Sequence, residues 1–84
     1  MADLKGLVEA VARALADQPE EVSVRESQRR GTTVYELQVA SGDLGRVIGR
    51  QGRTAAALRT LLSTAAEADD LRVSLDIRDQ TGRN

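Results

Sequence analysis

The stretch Val47-Ile48-Gly49-Arg50-Gln51-Gly52-Arg53-Thr54 decides how this 84-residue chain is to be interpreted. Its two glycines stand three positions apart, so both ends of a tight turn lack a Cβ, and a ligand backbone can approach the main chain there. The turn leads into an alanine-rich helix, whose first N–H groups attract anions. Such a turn is either a clamp for a phosphate backbone or a plain glycine turn between two helices with solvated arginines. Taken alone, the motif favours the second interpretation.

Positive charge is concentrated around this turn, although the whole chain has a formal net charge of −1 and a sequence pI near 5.3. The segment 44–66 contains no acidic residue. It contains four arginines, which are Arg46, Arg50, Arg53 and Arg59. A local basic patch on an acidic protein predicts modest, salt-sensitive binding of a polyanion rather than general stickiness.

The composition argues against an enzyme. The chain has no Cys, His or Trp, so the commonest metal ligands, thiol nucleophiles and general bases are absent. A phosphate-binding P-loop is not present either, because Val47 stands where its first glycine is required. No apolar run is long enough to span a membrane, and the N-terminus lacks the pattern of a signal peptide. We therefore expect a cytoplasmic protein without cofactor, metal, membrane association or small-molecule substrate.

Periodicity predicts three elements before the turn. Apolar residues at helical spacing predict a helix over residues 3–16, capped by Asp3 and ended before Pro19. Strands are predicted over 21–27 and 33–39, joined by a turn at Gly31. The helical stripe consists of Leu4, Leu7, Val8, Val11 and Leu15. The inward face of the second strand consists of Tyr35, Leu37 and Val39.

Three further elements follow. A short helix is predicted over 44–48, with Ser41 or Asp43 as its cap, and a long helix over 53–68. Alternation of Leu71, Val73, Leu75 and Ile77 predicts a last strand. The order α-β-β-α-α-β predicts an α+β fold, in which a three-stranded mixed sheet has helices packed on one face. The crossover connection makes the second and third strands parallel, and the hairpin makes the first antiparallel.

This order, together with Asp43-Leu44-Gly45-Arg46-Val47-Ile48-Gly49-Arg50-Gln51-Gly52-Arg53-Thr54, resembles a type II KH domain. More closely, the chain resembles the small stand-alone bacterial KH proteins of the KhpA family. The resemblance implies one KH domain over residues 1–78, with a polar tail over 79–84. It also implies an RNA-binding protein that acts as an RNA chaperone or post-transcriptional regulator, as a homodimer or with a larger Jag-type KH protein. The family is linked to cell shape, cell wall biogenesis and envelope homeostasis.

In such a domain, single-stranded RNA lies in a groove between the glycine turn and the sheet edge, which holds about four nucleotides. The RNA-binding residues that the resemblance implies are Gly49, Arg50, Gln51, Gly52, Arg53, Arg46, Val47, Ile48 and Val39. Ile48 fits the core as well as the groove floor, and both Arg46 and Arg59 fit a solvated surface as well as the groove border. Because Tyr35 is the single aromatic residue, base stacking on aromatic platforms is not the main mechanism.

The long helix has more apolar surface than one sheet contact requires. Its apolar residues cover about half of the helical wheel, against the roughly 100° that packing on a sheet uses. The additional arc suits a partner helix, the RNA groove, or merely the high helix propensity of alanine. For a dimer, the interface residues would be Ala57, Leu58, Leu61, Ala65 and Ala68. The rival to RNA binding is a degenerate KH module that serves only protein assembly.

Overall fold

Six helices and strands follow one another in the predicted order α-β-β-α-α-β. The structure is a computed structural model and describes residues 3–81. The elements are α1 (Leu4–Leu15), β1 (Ser23–Arg29), β2 (Thr32–Val39), α2 (Leu44–Ile48), α3 (Arg53–Ala68) and β3 (Arg72–Asp79). Short 3₁₀ turns occupy Pro19–Glu21, Ser41–Asp43 and Arg50–Gly52. The predicted bounds of the second and third helices are confirmed.

The three strands form one mixed sheet with β2 in the centre. β1 pairs with β2 antiparallel, and β3 pairs with β2 in parallel, as the element order predicts. In this register Val24 lies opposite Leu37, and Leu75 lies opposite Tyr35. Residues in register share a face, so the apolar positions of the three strands, with the exception of Val34, point to the side that the helices cover. The α+β fold with a three-stranded mixed sheet is confirmed.

The core lies between this face of the sheet and the three helices. Its most completely buried apolar side chains are Leu37, Leu62, Val8, Val39 and Val47. α3 contributes buried residues at spacings of three and four, which are Ala55, Leu58, Leu62 and Ala66. Each helix buries one stripe, as an amphipathic helix on a sheet must. Of the predicted stripe on α1, Leu7 and Leu15 remain 36% and 38% exposed, so the buried band is narrower than the sequence predicts.

The hairpin and the end of β3 differ from the prediction. β1 starts at Ser23 rather than residue 21, because Pro19–Glu21 close a 3₁₀ turn first. The strand then continues to Arg29, since the reversal is made by Arg30 and Gly31 with φ of +51° and +82°. Two successive positive φ values suit the twist of a two-residue hairpin. β3 likewise continues to the buried Asp79, the first residue of the predicted tail; of that tail, residues 82–84 lie outside the described part.

Asp43 has a different role from the predicted helix cap. Its side chain makes no capping hydrogen bond to α2 and is only 1% exposed. Its two carboxylate oxygens instead accept the backbone N–H groups of Asp17 and Gln18, at 3.0 and 2.9 Å. Asp43 therefore ties the loop after α1 to the start of α2. The predicted cap of α1 is confirmed, because Asp3 Oδ1 accepts the N–H of Gly6 at 2.9 Å.

Candidate nucleic-acid interface

The turn between α2 and α3 has a left-handed backbone at three of its four residues. Gly49, Gln51 and Gly52 have φ of +81°, +57° and +72°. Within the turn, the N–H of Gly52 donates to the carbonyl oxygen of Gly49 at 3.0 Å. A non-glycine residue in this region is strained by about 1–2 kcal/mol. Gln51 has this conformation at the exposed tip of the turn, and such local strain is typical of functional loops.

The two glycines are required for different reasons. A Cβ at Gly49 would lie 2.7 Å from the Cβ of Thr54 and 3.0 Å from its backbone nitrogen. A Cβ at Gly52 would meet no atom within 4 Å and would project into open space. Gly49 therefore allows the turn to pack against the first turn of α3. Of the two glycines that the sequence predicts for close ligand approach, only Gly52 has the space in front of it open.

Positive charge surrounds the start of α3. The helix begins at Arg53, and its N-cap residue Gly52 has no side chain that could cap it, so the cap does not neutralise the positive end of the helix dipole. Arg53 Nη2 donates to Gln51 Oε1 at 2.9 Å, which holds both side chains in front of the turn. The side chain of Arg50 is exposed and makes no hydrogen bond or ion pair with any residue between 3 and 81. This arrangement favours an anion at the turn.

Arg46 is already engaged by acidic side chains. Its guanidinium lies 3.8 Å from a carboxylate oxygen of Asp17 and 3.6 Å from Asp43. Of the arginines that the sequence assigns to RNA contact, Arg46 thus has competing anions, whereas Arg50 and Arg53 have no acidic partner within the described residues.

The predicted floor of the groove is wrong at two positions. Val39 and Val47 are 0% and 1% exposed, because Val39 lies on the helix-covered face of β2 and Val47 on the inner face of α2. A base therefore does not reach either side chain. Ile48 is half-buried and borders a cavity of about 220 Å³ with Gly52, Ala55 and Ile77. Of the three predicted floor residues, only Ile48 lines the surface beside the turn.

A shallow groove continues from the turn along α3 and the edge of β3. A second cavity of about 230 Å³ lies further along it, bordered by Leu62, Ser63, Val73 and Leu75. Arg59 borders both cavities. The sequence is compatible with Arg59 either at the groove or on a solvated surface, and the structure places it at the groove. No local sequence pattern shows which residues of β3 border this groove.

One exposed stripe of α3 is apolar and faces away from the core. Leu61 is 56% exposed, and both Ala57 and Ala68 are exposed. Ala65 is half-buried and packs against the core from its border. Leu58 is buried within the core, so its prediction as an interface residue is wrong: it points inward with the stripe that covers the sheet.

Residues 3–81 contain neither a candidate metal site nor a candidate membrane span. No group of three or more acidic, Cys or His side chains is arranged to hold a metal ion. No helix of that range combines the length and hydrophobicity needed to cross a membrane.

A mixed three-stranded sheet with helices on one face, and a Gly-x-x-Gly turn between its second and third helices, define a KH domain of type II. The profile of the KH domain of KhpA and KhpB matches residues 5–77, and the chain belongs to this family.

Two relatives and one solved structure illustrate the similarity. The RNA-binding protein KhpA of Treponema pallidum (strain Nichols) is 51% identical over 73 residues, covering 87% of this chain and 91% of the relative. The RNA-binding protein KhpA of Chlamydia trachomatis serovar D is 44% identical over 77 residues, covering 92% and 99%. The crystal structure of Era in complex with MgGDPNP and nucleotides 1506–1542 of 16S ribosomal RNA matches 90% of this chain, with a TM-score of 0.55. At 16% identity, and over 29% of the Era chain, this match shows the fold alone.

Proposed function

We propose that this protein binds single-stranded RNA through the turn at Gly49–Gly52. Phosphates lie against the backbone of the turn and the start of α3, with Arg50 and Arg53 as the charged contacts. The bases lie in the groove between α3 and β3. The observation that carries the proposal is that an uncapped, positively charged helix start opens directly into a partly apolar groove beside Gly52.

The strength of binding follows from the number of available cations. With two arginines neutralising phosphates, the salt slope for a single strand is about −1.4, from about −0.7 per phosphate. A fourfold rise in salt then weakens binding about sevenfold. The groove also lacks aromatic side chains among its lining residues, so base stacking adds little. We expect modest affinity and a shallow salt dependence.

The comparisons support the RNA-binding part of the proposal. The relatives carry the name RNA-binding protein KhpA, and the solved Era structure contains ribosomal RNA. By family resemblance, we propose that the protein acts in the cytoplasm as an RNA chaperone or post-transcriptional regulator. It would act as a homodimer or with a larger Jag-type KH protein, in processes that maintain cell shape and cell wall.

The test replaces the tip of the turn with acids, as Arg50→Asp with Gln51→Asp. Asp tolerates the left-handed backbone of position 51, so the change acts mainly on charge. Binding to short single-stranded RNA is measured over a salt series, after circular dichroism has shown that the variant folds. A matched control, Arg13→Asp with Ala10→Asp, makes the same charge change on exposed positions of α1. Loss of binding in the turn variant alone supports the proposal, and unchanged affinity refutes it.

One observation favours the second candidate function, a module for protein assembly. Leu61 is the most exposed large apolar side chain among the described residues and lies on the alanine-rich face of α3. We propose that this face forms the homodimer contact, with Ala57, Ala65 and Ala68 around Leu61. Light scattering at high concentration then gives twice the chain mass of 9.0 kDa; a single species near 9.0 kDa would exclude the dimer. Dimerisation without any RNA binding would establish the assembly function instead.

A further inference from the structure

Arg59 connects α3 to the free edge of the sheet. Within residues 3–81, β3 pairs with β2 alone, so its other edge carries backbone groups without a neighbouring strand in that range. The Nε and Nη2 atoms of Arg59 both donate to the carbonyl oxygen of Leu75, at 3.3 and 3.2 Å. The guanidinium is therefore held against the edge of β3 rather than extending into solvent.

This contact changes what the edge offers to a ligand. The carbonyl oxygen has two lone pairs, and the two N–H groups of Arg59 use them. The guanidinium has five N–H donors, so three remain, and none of these has a partner between residues 3 and 81. At this point of the groove, the protein presents donors where a bare strand edge would present an acceptor.

Arg59 lies where any ligand in the groove would meet its N–H donors instead of the carbonyl acceptor. Its side chain borders both the cavity beside the turn and the next cavity along β3. The walls on either side of it are partly apolar, with Ile48, Ala55 and Ile77 towards the turn and Leu62 and Val73 beyond, and Asp76 is the other charged residue that borders them. Arg59 is the one cationic residue among those that line the two cavities, so a base in this groove meets its guanidinium as the charged donor.

We propose that Arg59 selects bases that present two adjacent hydrogen-bond acceptors and disfavours adenine. Cytosine offers O2 and N3, and guanine offers O6 and N7, and a guanidinium can donate to both atoms of either pair. Adenine places its amino donor beside N1. The Leu75 carbonyl oxygen could accept from that donor, but Arg59 already occupies it, so the amino group would face the N–H groups of the guanidinium. The inference rests on the proposed RNA binding, and it adds the class of base that the groove prefers.

The experiment compares oligocytidylate with oligoadenylate of equal length by fluorescence anisotropy. The proteins are the wild type, Arg59→Ala, Arg59→Lys and the control Arg13→Ala, which removes an exposed arginine of α1. Arg59 is itself exposed, so both of its variants keep the core intact. We expect the wild type and Arg13→Ala to prefer cytidine by at least about fivefold, the lower end of what one bidentate base contact contributes.

Arg59→Ala should lose most of this preference, since it removes the donors and frees the Leu75 carbonyl for an amino group. Arg59→Lys should lose it as well while keeping the salt dependence, because an ammonium retains the charge but not the paired donors. A wild type that binds both oligonucleotides equally, or an unchanged ratio in Arg59→Ala, overturns the inference and leaves the clamp intact. A retained preference in Arg59→Lys also overturns it, because charge alone would then explain the selection. If the wild type binds neither oligonucleotide, the proposed function itself fails.

Discussion

The two glycines of the turn should respond very differently to the same substitution. Gly49 has φ +81° and ψ 168°, a region that essentially only glycine adopts and that costs another residue about 1–3 kcal/mol. Gly49→Ala also forces its Cβ against the backbone nitrogen of Thr54, 3.0 Å away, and such overpacking costs about 1–3 kcal/mol. Alanine lowers the conformational entropy of the unfolded chain, which offsets about 0.4–1 kcal/mol of this loss. We expect a net loss of about 2–4 kcal/mol in the free energy of unfolding.

Gly52→Ala should be tolerated by the fold. Its φ of +72° and ψ of 14° lie in the left-handed helical region, which costs alanine about 1–2 kcal/mol. The new Cβ contacts nothing within 4 Å, so no packing cost is added. After the same unfolded-state offset of about 0.4–1 kcal/mol, the net loss is about 1 kcal/mol or less. The methyl group nevertheless projects into the open space in front of the turn, so we expect RNA affinity to fall.

Thermal unfolding followed by circular dichroism separates the two variants. For a domain of this size, 1 kcal/mol corresponds to about 4–8 °C in Tm. Gly49→Ala should therefore lower Tm by about 10–30 °C, and Gly52→Ala by less than about 10 °C. RNA binding is measured on both below their transitions. Equal losses of stability, or a larger loss in Gly52→Ala, would refute the argument from backbone geometry and contact.

Three more predictions concern the rest of the molecule. Asp43→Ala should lower the free energy of unfolding by about 3–6 kcal/mol in urea denaturation, because two charge-assisted hydrogen bonds at about 1.5–3 kcal/mol each are lost. Burial, followed by the negative charges of Glu26 and Asp3, raises the pKa of Tyr35 above its ordinary value of 10.0, so the ultraviolet absorbance of tyrosinate should titrate above that pH. Because the folded state holds this proton more tightly, stability is unaffected below about pH 10 and falls as pH rises through the folded pKa. Leu61→Glu should convert the proposed dimer to monomers in light scattering.

Each of these three predictions has a control or a result that would contradict it. Asp43→Asn keeps one acceptor oxygen and should lose less than Asp43→Ala; an equal loss would contradict the assignment to hydrogen bonds. Since Tyr35 is the single aromatic residue, its absorbance needs no correction, and a midpoint at or below 10.0 would contradict burial as the cause. Leu15→Glu changes another exposed leucine, on α1, and should leave the dimer unchanged. A dimer that survives Leu61→Glu would exclude this face of α3.

Much of the fold could be predicted because its signals are local. α3 begins right after Gly52, and its bounds follow from that glycine and from the apolar stripe of period 3.6. The parallel pairing of β2 and β3 follows from the element order, since a crossover through two helices allows it. The bounds of the hairpin have a weaker sequence signal, because Arg30 has a positive φ although it is not Gly, Asn or Asp. The role of Asp43 had no local signal, since its partners lie 25 and 26 positions away.

The sequence by itself determined the order of the elements, the Gly-x-x-Gly turn and the charge around it, because backbone propensity and periodicity depend on near neighbours. Only the tertiary structure decided which of those side chains are accessible. The residue type and the sequence position of Val39 and Val47 fit an apolar groove residue, yet packing buries both side chains. Arg59 resembles any surface arginine until β3 brings the Leu75 carbonyl to it, 16 positions along the chain. The spacing of apolar residues in the sequence shows which face of a helix or strand is apolar. The exposure and the hydrogen-bond partners of its side chains depend on which other element covers that face.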